Sequence, residues 1–277
     1  MPMGIKENIK NEDNIGENEL LVASFGTSFN SNRKLTIAAV ENELEKAFPD
    51  FSLRRCFTSG MIIKHIYERD NLLIDDIDAA FKRAVNNGVK NIIVQPTHLM
   101  DGIEYHKLLD KLSKYEDSFE KVSVGEPLLM EDDDFKKVMD AVVDDLSEYV
   151  DEDTAVCLMG HGTEAESNSV YFKLQKLFIN NGYNNFFIGT VEAEPTVEDL
   201  LESVKLQGFK RVVLAPLMLV AGDHANNDMA GDEEDSWKSI FEAAGYEVEC
   251  ILNGIGSVPA IQQIYVEHAL KAKKNLR

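Results

Sequence analysis

The sequence predicts an α/β protein of two similar Rossmann-like lobes, each a parallel four-stranded sheet flanked by helices, related by internal duplication. Three observations carry that expectation. Short apolar runs alternate with segments of helical apolar spacing along the chain, which implies parallel strands joined by right-handed crossovers. The alternation starts again near residue 155. Two motifs also recur in the same order: Ser24-Phe-Gly-Thr27 aligns with Gly160-His-Gly-Thr163, and Ile92-Ile-Val-Gln-Pro96 with Val212-Val-Leu-Ala-Pro216. Continued without a gap, the second alignment sets Gly102 on Gly222 and Glu104 on His224.

Taken in order, residues 1–18 are polar and read as a loose tail. The first strand spans Glu19 to Phe25. A helix follows, with Ile37, Val40, Leu44, Ala47 and Phe48 on one face. Strands are expected over 51–57, 91–96 and 121–126, with helices over 60–69 and 75–87, the latter closed by Gly88. The segment Met61 to Arg69 accounts for the longer separation of the two motifs in the first half. Phe135, Val138, Met139, Val142, Leu146 and Tyr149 mark a helix after an acidic start at Asp132. In the second half, strands over 155–159, 185–191, 211–217 and 246–252 alternate with helices over 164–180, 196–206 and 258–273. The lobes are therefore drawn as residues 1–150 and 151–277.

Lys+Arg 28 against Asp+Glu 49 gives a net charge of −21, which argues against nucleic acid and anionic membrane surfaces as partners. The acidic runs 131–134, 151–153 and 232–235 read as solvated faces and helix starts, where carboxylates complement the helix dipole. Cys56, Cys157 and Cys250 are far apart in sequence, each inside an expected strand, which reads as buried thiols in a reducing compartment. With neither a signal-peptide core nor a run of transmembrane length, a cytoplasmic location is expected.

Ligands of open α/β sheets bind outside the carboxyl ends of the strands. His161 follows one apolar run and His224 another, and Glu192 in Gly189-Thr-Val-Glu-Ala-Glu194 stands just after a third. Two imidazoles and a carboxylate from three strand ends make a ligand set for a divalent metal with open positions. An ordinary acid at a helix N-terminus is the other reading of Glu192. Glu104 joins the set through the repeat. Ser24, Phe25, Thr27 and Arg33 lie where a loop and helix start could hold an anion, although a simple turn and cap would look the same. His98 follows a strand with its direction open, while His65, His106 and His268 fall on expected helices and read as structural or exposed.

The stretches Gly160-His-Gly-Thr163, Val191-Glu-Ala193, Pro96-Thr-His-Leu-Met-Asp-Gly-Ile-Glu104 and Ala221-Gly-Asp-His-Ala-Asn-Asn-Asp-Met-Ala-Gly-Asp232 resemble the anaerobic cobalt chelatases. These are sirohydrochlorin cobaltochelatases of the class II chelatase group, related in fold to ferrochelatase. The likeness runs from about Leu20 over nearly the whole chain, and 221–232 is its most specific part. It implies insertion of a divalent metal into sirohydrochlorin in oxygen-independent cobalamin synthesis. It matches His161 and His224 to the family's active-site histidines, Glu104 to its cleft acid and Glu192 to a metal-contacting glutamate. The metal is then a substrate, Co(II) before Fe(II) or Ni(II), with no permanently bound cofactor. The partners expected are sirohydrochlorin or a related tetrapyrrole and the metal, with self-association left open. Arg33, Lys34, Arg54 and Arg55 are the basic groups available for the tetrapyrrole's carboxylates. A two-histidine, one-glutamate metallohydrolase and a non-enzymatic tetrapyrrole or metal carrier are the competing readings.

Overall fold

A computed structural model describes residues 10–276 of the chain. It contains two four-stranded sheets in which every neighbouring pair of strands is parallel. The first holds β1 (Asn18–Ser24), β2 (Ser52–Phe57), β3 (Asn91–Pro96) and β4 (Lys121–Val124) in the order β2-β1-β3-β4. The second repeats it with β5 (Thr154–Gly160), β6 (Phe186–Thr190), β7 (Arg211–Pro216) and β8 (Glu247–Cys250) in the order β6-β5-β7-β8. The registers match too: Ala23 lies opposite Pro96 on the third strand, and Met159 opposite Pro216 on the seventh. Both central strands are buried almost end to end, which is why they read as continuous apolar runs.

The helices of the first half are α1 (Asn30–Leu35), α2 (Ile37–Ala47), α3 (Gly60–Asp70), α4 (Ile77–Asn86), α5 (Ile103–Leu112) and α6 (Asp132–Asp145). Those of the second are α7 (Ser169–Asn180), α8 (Val197–Lys205), α9 (Trp237–Ala243) and α10 (Pro259–Lys274). α9 is an addition to the sequence reading, and α5, expected there only as a helix carrying His106, now has its bounds. α5 buries fully only Leu108 and Leu112, and α9 is seven residues long, so neither carries a sustained apolar period. Between β6 and β7 the described structure has α8 alone, whereas α3 and α4 both separate β2 from β3. The extra helix of the first half is thus α3. The acidic run at 131–134 opens α6, where the side chains of Glu131 and Asp134 form a reciprocal cap.

The last helix of each half crosses to the boundary between the sheets. α10 packs on α2, β3 and β4 of the first lobe and on α6, while α6 packs on α7. Leu20, Val22 and Ile93 therefore share one apolar core with Val156, Leu158 and Val213. The outer face of each sheet has a core of its own, under α4 and α5 on one side and under α8 and α9 on the other. Each fully buried Leu, Ile or Val in the shared core contributes about 1.5–3 kcal/mol of apolar burial. That common layer holds the two sheets in fixed relation.

Two expectations change here. Residues 1–9 of the proposed loose tail lie outside the described residues, but residues 10–17 are tied down. Lys10 is buried and its carbonyl accepts from Arg55 N–H, Asp13 pairs with Arg83, and the Glu17 carbonyl accepts from Lys90 and Asn91. Arg54 and Arg55 do not serve as surface cations. Arg55 makes a two-pronged 2.7 Å contact with the buried Glu41, and Arg54 faces the buried Glu19 at 3.7 Å. Burial holds the Glu19 carboxyl up at about 7, against the pull of Arg54.

Candidate metal centre at the strand ends

β5 stops at Gly160, and the chain then turns sharply through Gly162 at φ +84°. A Cβ there would lie 2.8 Å from the Thr190 side chain and 2.9 Å from the Ala193 nitrogen. Only glycine allows both this conformation and this close approach. The result is that His161 leaves the end of β5 facing the loop after β6. Glu192 in that loop is held by its own N–H, which donates to the His161 carbonyl at 2.9 Å. Thr190 Oγ1 donates to the Ala193 carbonyl at 2.5 Å, and the Asn168 side chain bridges the loops, accepting from Thr163 N–H at 3.1 Å and donating to the Glu194 carbonyl at 2.7 Å.

His224 enters from a third strand. After β7 the chain runs through Gly222 into a widened helical turn, Ala225–Met229, with π-type spacing, and His224 caps its start. The two imidazoles meet edge to face, with ring centres 4.9 Å apart and an interplanar angle of 87°. One ligand atom from each of His161, Glu192 and His224 lies within 4.8 Å of the others. All three side chains are partly exposed, so a metal could enter from solvent. His161 Nδ1 lies 3.0 Å from the Gly162 carbonyl, and His224 Nδ1 lies 2.7 Å from Asp228 Oδ2. With its Nδ1 hydrogen directed at Asp228, His224 keeps a free lone pair on Nε2, while His161 Nδ1 also lies 3.6 Å from Glu192 Oε2. Two nitrogens and one carboxylate oxygen, with room for further ligands, suit a mid-series divalent ion. Beneath them Tyr171 is buried, which raises its hydroxyl to about 12, and it accepts from Gly162 N–H at 3.4 Å.

Glu104 sits in the first turn of α5, partly buried, with Lys107 Nζ at 2.6 Å. It occupies the place in the first lobe that His224 occupies in the second, eight residues past a strand-ending proline. The lobes touch through the loops that carry these groups. A Cβ on Gly222 would lie 3.6 Å from Thr27 Oγ1, and one on Gly102 would lie 3.4 Å from Ser167 Oγ. Behind Glu104 the His98 ring has both nitrogens buried without a partner, and burial pushes it down to about 4 while the Glu104 charge opposes this. A groove of about 980 Å³ lies between the start of α5 and the start of α7, lined by Ile103, Met130, Phe135 and Val170 with Lys107 and Lys173; His161, Glu192, His224 and Glu104 are not part of its lining.

The proposed anion loop is different from its sequence reading. Phe25 is 45% exposed, but Ser24, Thr27 and Arg33 are buried. Ser24 Oγ accepts from Thr97 Oγ1, Thr27 Oγ1 accepts from Phe29 N–H, and the Arg33 guanidinium donates to the Thr27 carbonyl and Asn30. Arg33 thus builds the turn from inside and cannot reach a carboxylate in solvent. The other histidines are structural or peripheral: His65 is exposed on α3, His106 pairs with Asp101 at 2.9 Å, and the buried His268 bridges the Glu126 carbonyl and Asp134. Asp228 is not among the residues the sequence points to, although its spacing of four from His224 is visible there.

Comparison with known proteins shows the family and the fold. The cobalt chelatase (CbiK) family matches residues 18–274. The sirohydrochlorin cobaltochelatase of Salmonella typhimurium is 36% identical over 253 residues, covering 91% of this chain and 95% of that protein. Sirohydrochlorin cobaltochelatase CbiKC of Nitratidesulfovibrio vulgaris is 29% identical over 255 residues, covering 91% and 89%. Among solved structures, SirB from Bacillus subtilis with Fe3+ superposes at a TM-score of 0.63 and 16% identity over 94% of this chain and 97% of that one. CbiX, described as the terminal enzyme of siroheme biosynthesis in denitrifying bacteria, gives 0.58 and 11% over 92% and 99%. These last two likenesses concern the fold. With nearly its whole length matched, the chain belongs to the cobalt chelatase (CbiK) family.

Proposed function

We propose that this chain inserts Co(II) into sirohydrochlorin, and that His161, Glu192 and His224 receive the metal before transfer. The observation that carries the reading is the convergence of these three groups within 4.8 Å at three strand ends, in a member of a cobalt chelatase family. Insertion breaks two pyrrole N–H bonds as four metal–nitrogen bonds form, and two protons leave. Three protein ligands hold the ion while leaving positions open to the macrocycle. As the metal passes to the ring, the imidazole lone pair of each histidine is released and can accept a proton. Glu104, on the facing lobe, orients the ring or carries protons away. Phe25, exposed beside the Thr27–Gly222 contact, offers an aromatic surface to a flat ligand. The three cysteines are free thiols, two of them buried, and among the described residues no helix is long and apolar enough to cross a membrane. Both features fit a cytoplasmic biosynthetic enzyme.

The test is an anaerobic absorbance assay of sirohydrochlorin with Co(II), Fe(II) and Ni(II) in turn. Catalytic turnover, fastest with Co(II), is expected. Stoichiometric binding with no turnover would make the chain a carrier, and hydrolysis of a chromogenic ester in its place would make it a metallohydrolase.

A further inference from the structure

The two histidines of the centre are anchored by different acceptors. His161 Nδ1 lies at hydrogen-bond distance from a backbone carbonyl, that of Gly162, at 3.0 Å, with Glu192 Oε2 farther off at 3.6 Å. His224 Nδ1 faces a carboxylate, Asp228 Oδ2, at 2.7 Å. We propose that Asp228 is a positioning residue for the metal: it takes the Nδ1 hydrogen of His224 and fixes the ring with Nε2 toward His161 and Glu192.

The local structure is built for this contact. A histidine ring can turn over about its Cβ–Cγ bond, which exchanges the places of the two nitrogens. A carboxylate at hydrogen-bond distance accepts only from an N–H, so it selects one orientation and one tautomer. Asp228 reaches that position from the widened turn 225–229, closed by Ala230 N–H donating to the Ala225 carbonyl at 3.2 Å. Such turns are uncommon and recur at functional sites. Neighbouring side chains pin the turn at the same spacing of four. Asn226 Nδ2 donates to the Gly222 carbonyl at 2.7 Å, and Asn227 Nδ2 donates to Asp223 Oδ1 at 2.8 Å. His224 and Asp228 are both partly exposed, and an exposed pair of this kind contributes little to stability. Its effect falls on the free nitrogen, because a carboxylate behind an imidazole orients the ring and strengthens it as a donor. The inference rests on the reading that His161, Glu192 and His224 hold the metal.

The experiment titrates Co(II) alone into the tetrapyrrole-free chain and follows the d–d absorption of the bound ion. Asp228→Ala is expected to weaken binding by about tenfold or more. Asp228→Asn matches the shape but lacks the charge, and is expected to weaken it by at least about threefold. In a His224→Ala background, Asp228→Ala should cause no further loss, because its action passes through that ring. Losses below about threefold for both variants, or an equal further loss in the His224→Ala background, would overturn the assignment. Should Asp228→Ala fail to fold, Asp228→Asn decides by the same boundary. Unchanged Co(II) binding in His224→Ala alone would overturn the metal-centre reading, and this inference with it. Loss in His224→Ala beside normal binding in both Asp228 variants would overturn this inference alone.

Discussion

At the end of β1 the chain runs Phe25-Gly26, and at the end of β5 it runs His161-Gly162, with both glycines in the left-handed region at φ +99° and +84°. The next loops correspond bond for bond. Ser59 N–H donates to the Phe25 carbonyl at 3.3 Å, as Glu192 N–H does to that of His161 at 2.9 Å. Glu104 and His224 complete the series, each eight residues beyond a proline that pairs with its central strand. Three positions in one half thus carry Phe, Ser and Glu where the other half carries His, Glu and His. A phenyl ring offers no lone pair and a neutral hydroxyl is a poor ligand, so only the second half assembles a strong donor set for a divalent ion. The backbone fixes where a group can stand, and the side chains decide which half offers donors for a metal.

The strongest way to break this contrast is to remove the donors. His161→Ala and His224→Ala should each lower metal insertion about a thousandfold or more, with near-native circular dichroism, in the anaerobic absorbance assay. Normal turnover in either variant would take that residue out of the mechanism.

A second contrast lies two residues after the prolines, where the first half has His98 and the second Met218. Burial lowers the His98 ring from 6.5 to about 4. The unfolded chain therefore takes up a proton there in a range where the folded one does not. Stability from this group is complete above pH 6.5 and falls as the pH drops toward 4, by about 3 kcal/mol at most. His98→Met should flatten that part of the urea-unfolding free energy measured against pH. An unchanged slope would place the titrating group elsewhere.

The two turn glycines sharpen the comparison further. In both, a Cβ would collide with a neighbour, the Phe57 ring at 2.5 Å from Gly26 and the Thr190 side chain at 2.8 Å from Gly162. Gly26→Ala and Gly162→Ala should each destabilise the fold by about 1–3 kcal/mol. Only the second should weaken Co(II) binding, because His161 is its neighbour. Equal effects of both on Co(II) affinity would contradict a one-sided metal centre.

The smallest effect is expected at Phe25. Phe25→Ala should raise KM for sirohydrochlorin several-fold, equivalent to about 0.5–1.5 kcal/mol of aromatic contact, and leave Co(II) affinity unchanged. A fall in Co(II) affinity would place Phe25 at the metal and not at the ring.

Much of this is legible in the sequence, and for a definite reason. Buried parallel strands must be apolar along their length, and a strand end must break the pattern, so the eight strands and the positions of His161, Glu192 and His224 follow from local sequence. Duplication makes the same signal readable twice, which is what aligns Glu104 with His224. The bounds of α5 and the presence of α9 are not legible there, because short helices with few buried positions leave no sustained period. Asp228 escaped because a spacing of four between two polar residues is common, and only the folded turn brings this pair to 2.7 Å.

The sequence by itself determined the succession of strands and helices, the repeat and the donor types, all of which are read from short local runs and their recurrence along the chain. Tertiary structure alone decided which charged groups are available. Arg33, Arg54 and Arg55 look like cations for a polyanionic ligand, yet all three are buried against partners in the fold. It also decided that α10, last in the chain, packs on the first sheet. Burial and pairing depend on what the rest of the chain brings alongside a residue, and its sequence neighbours do not carry that information.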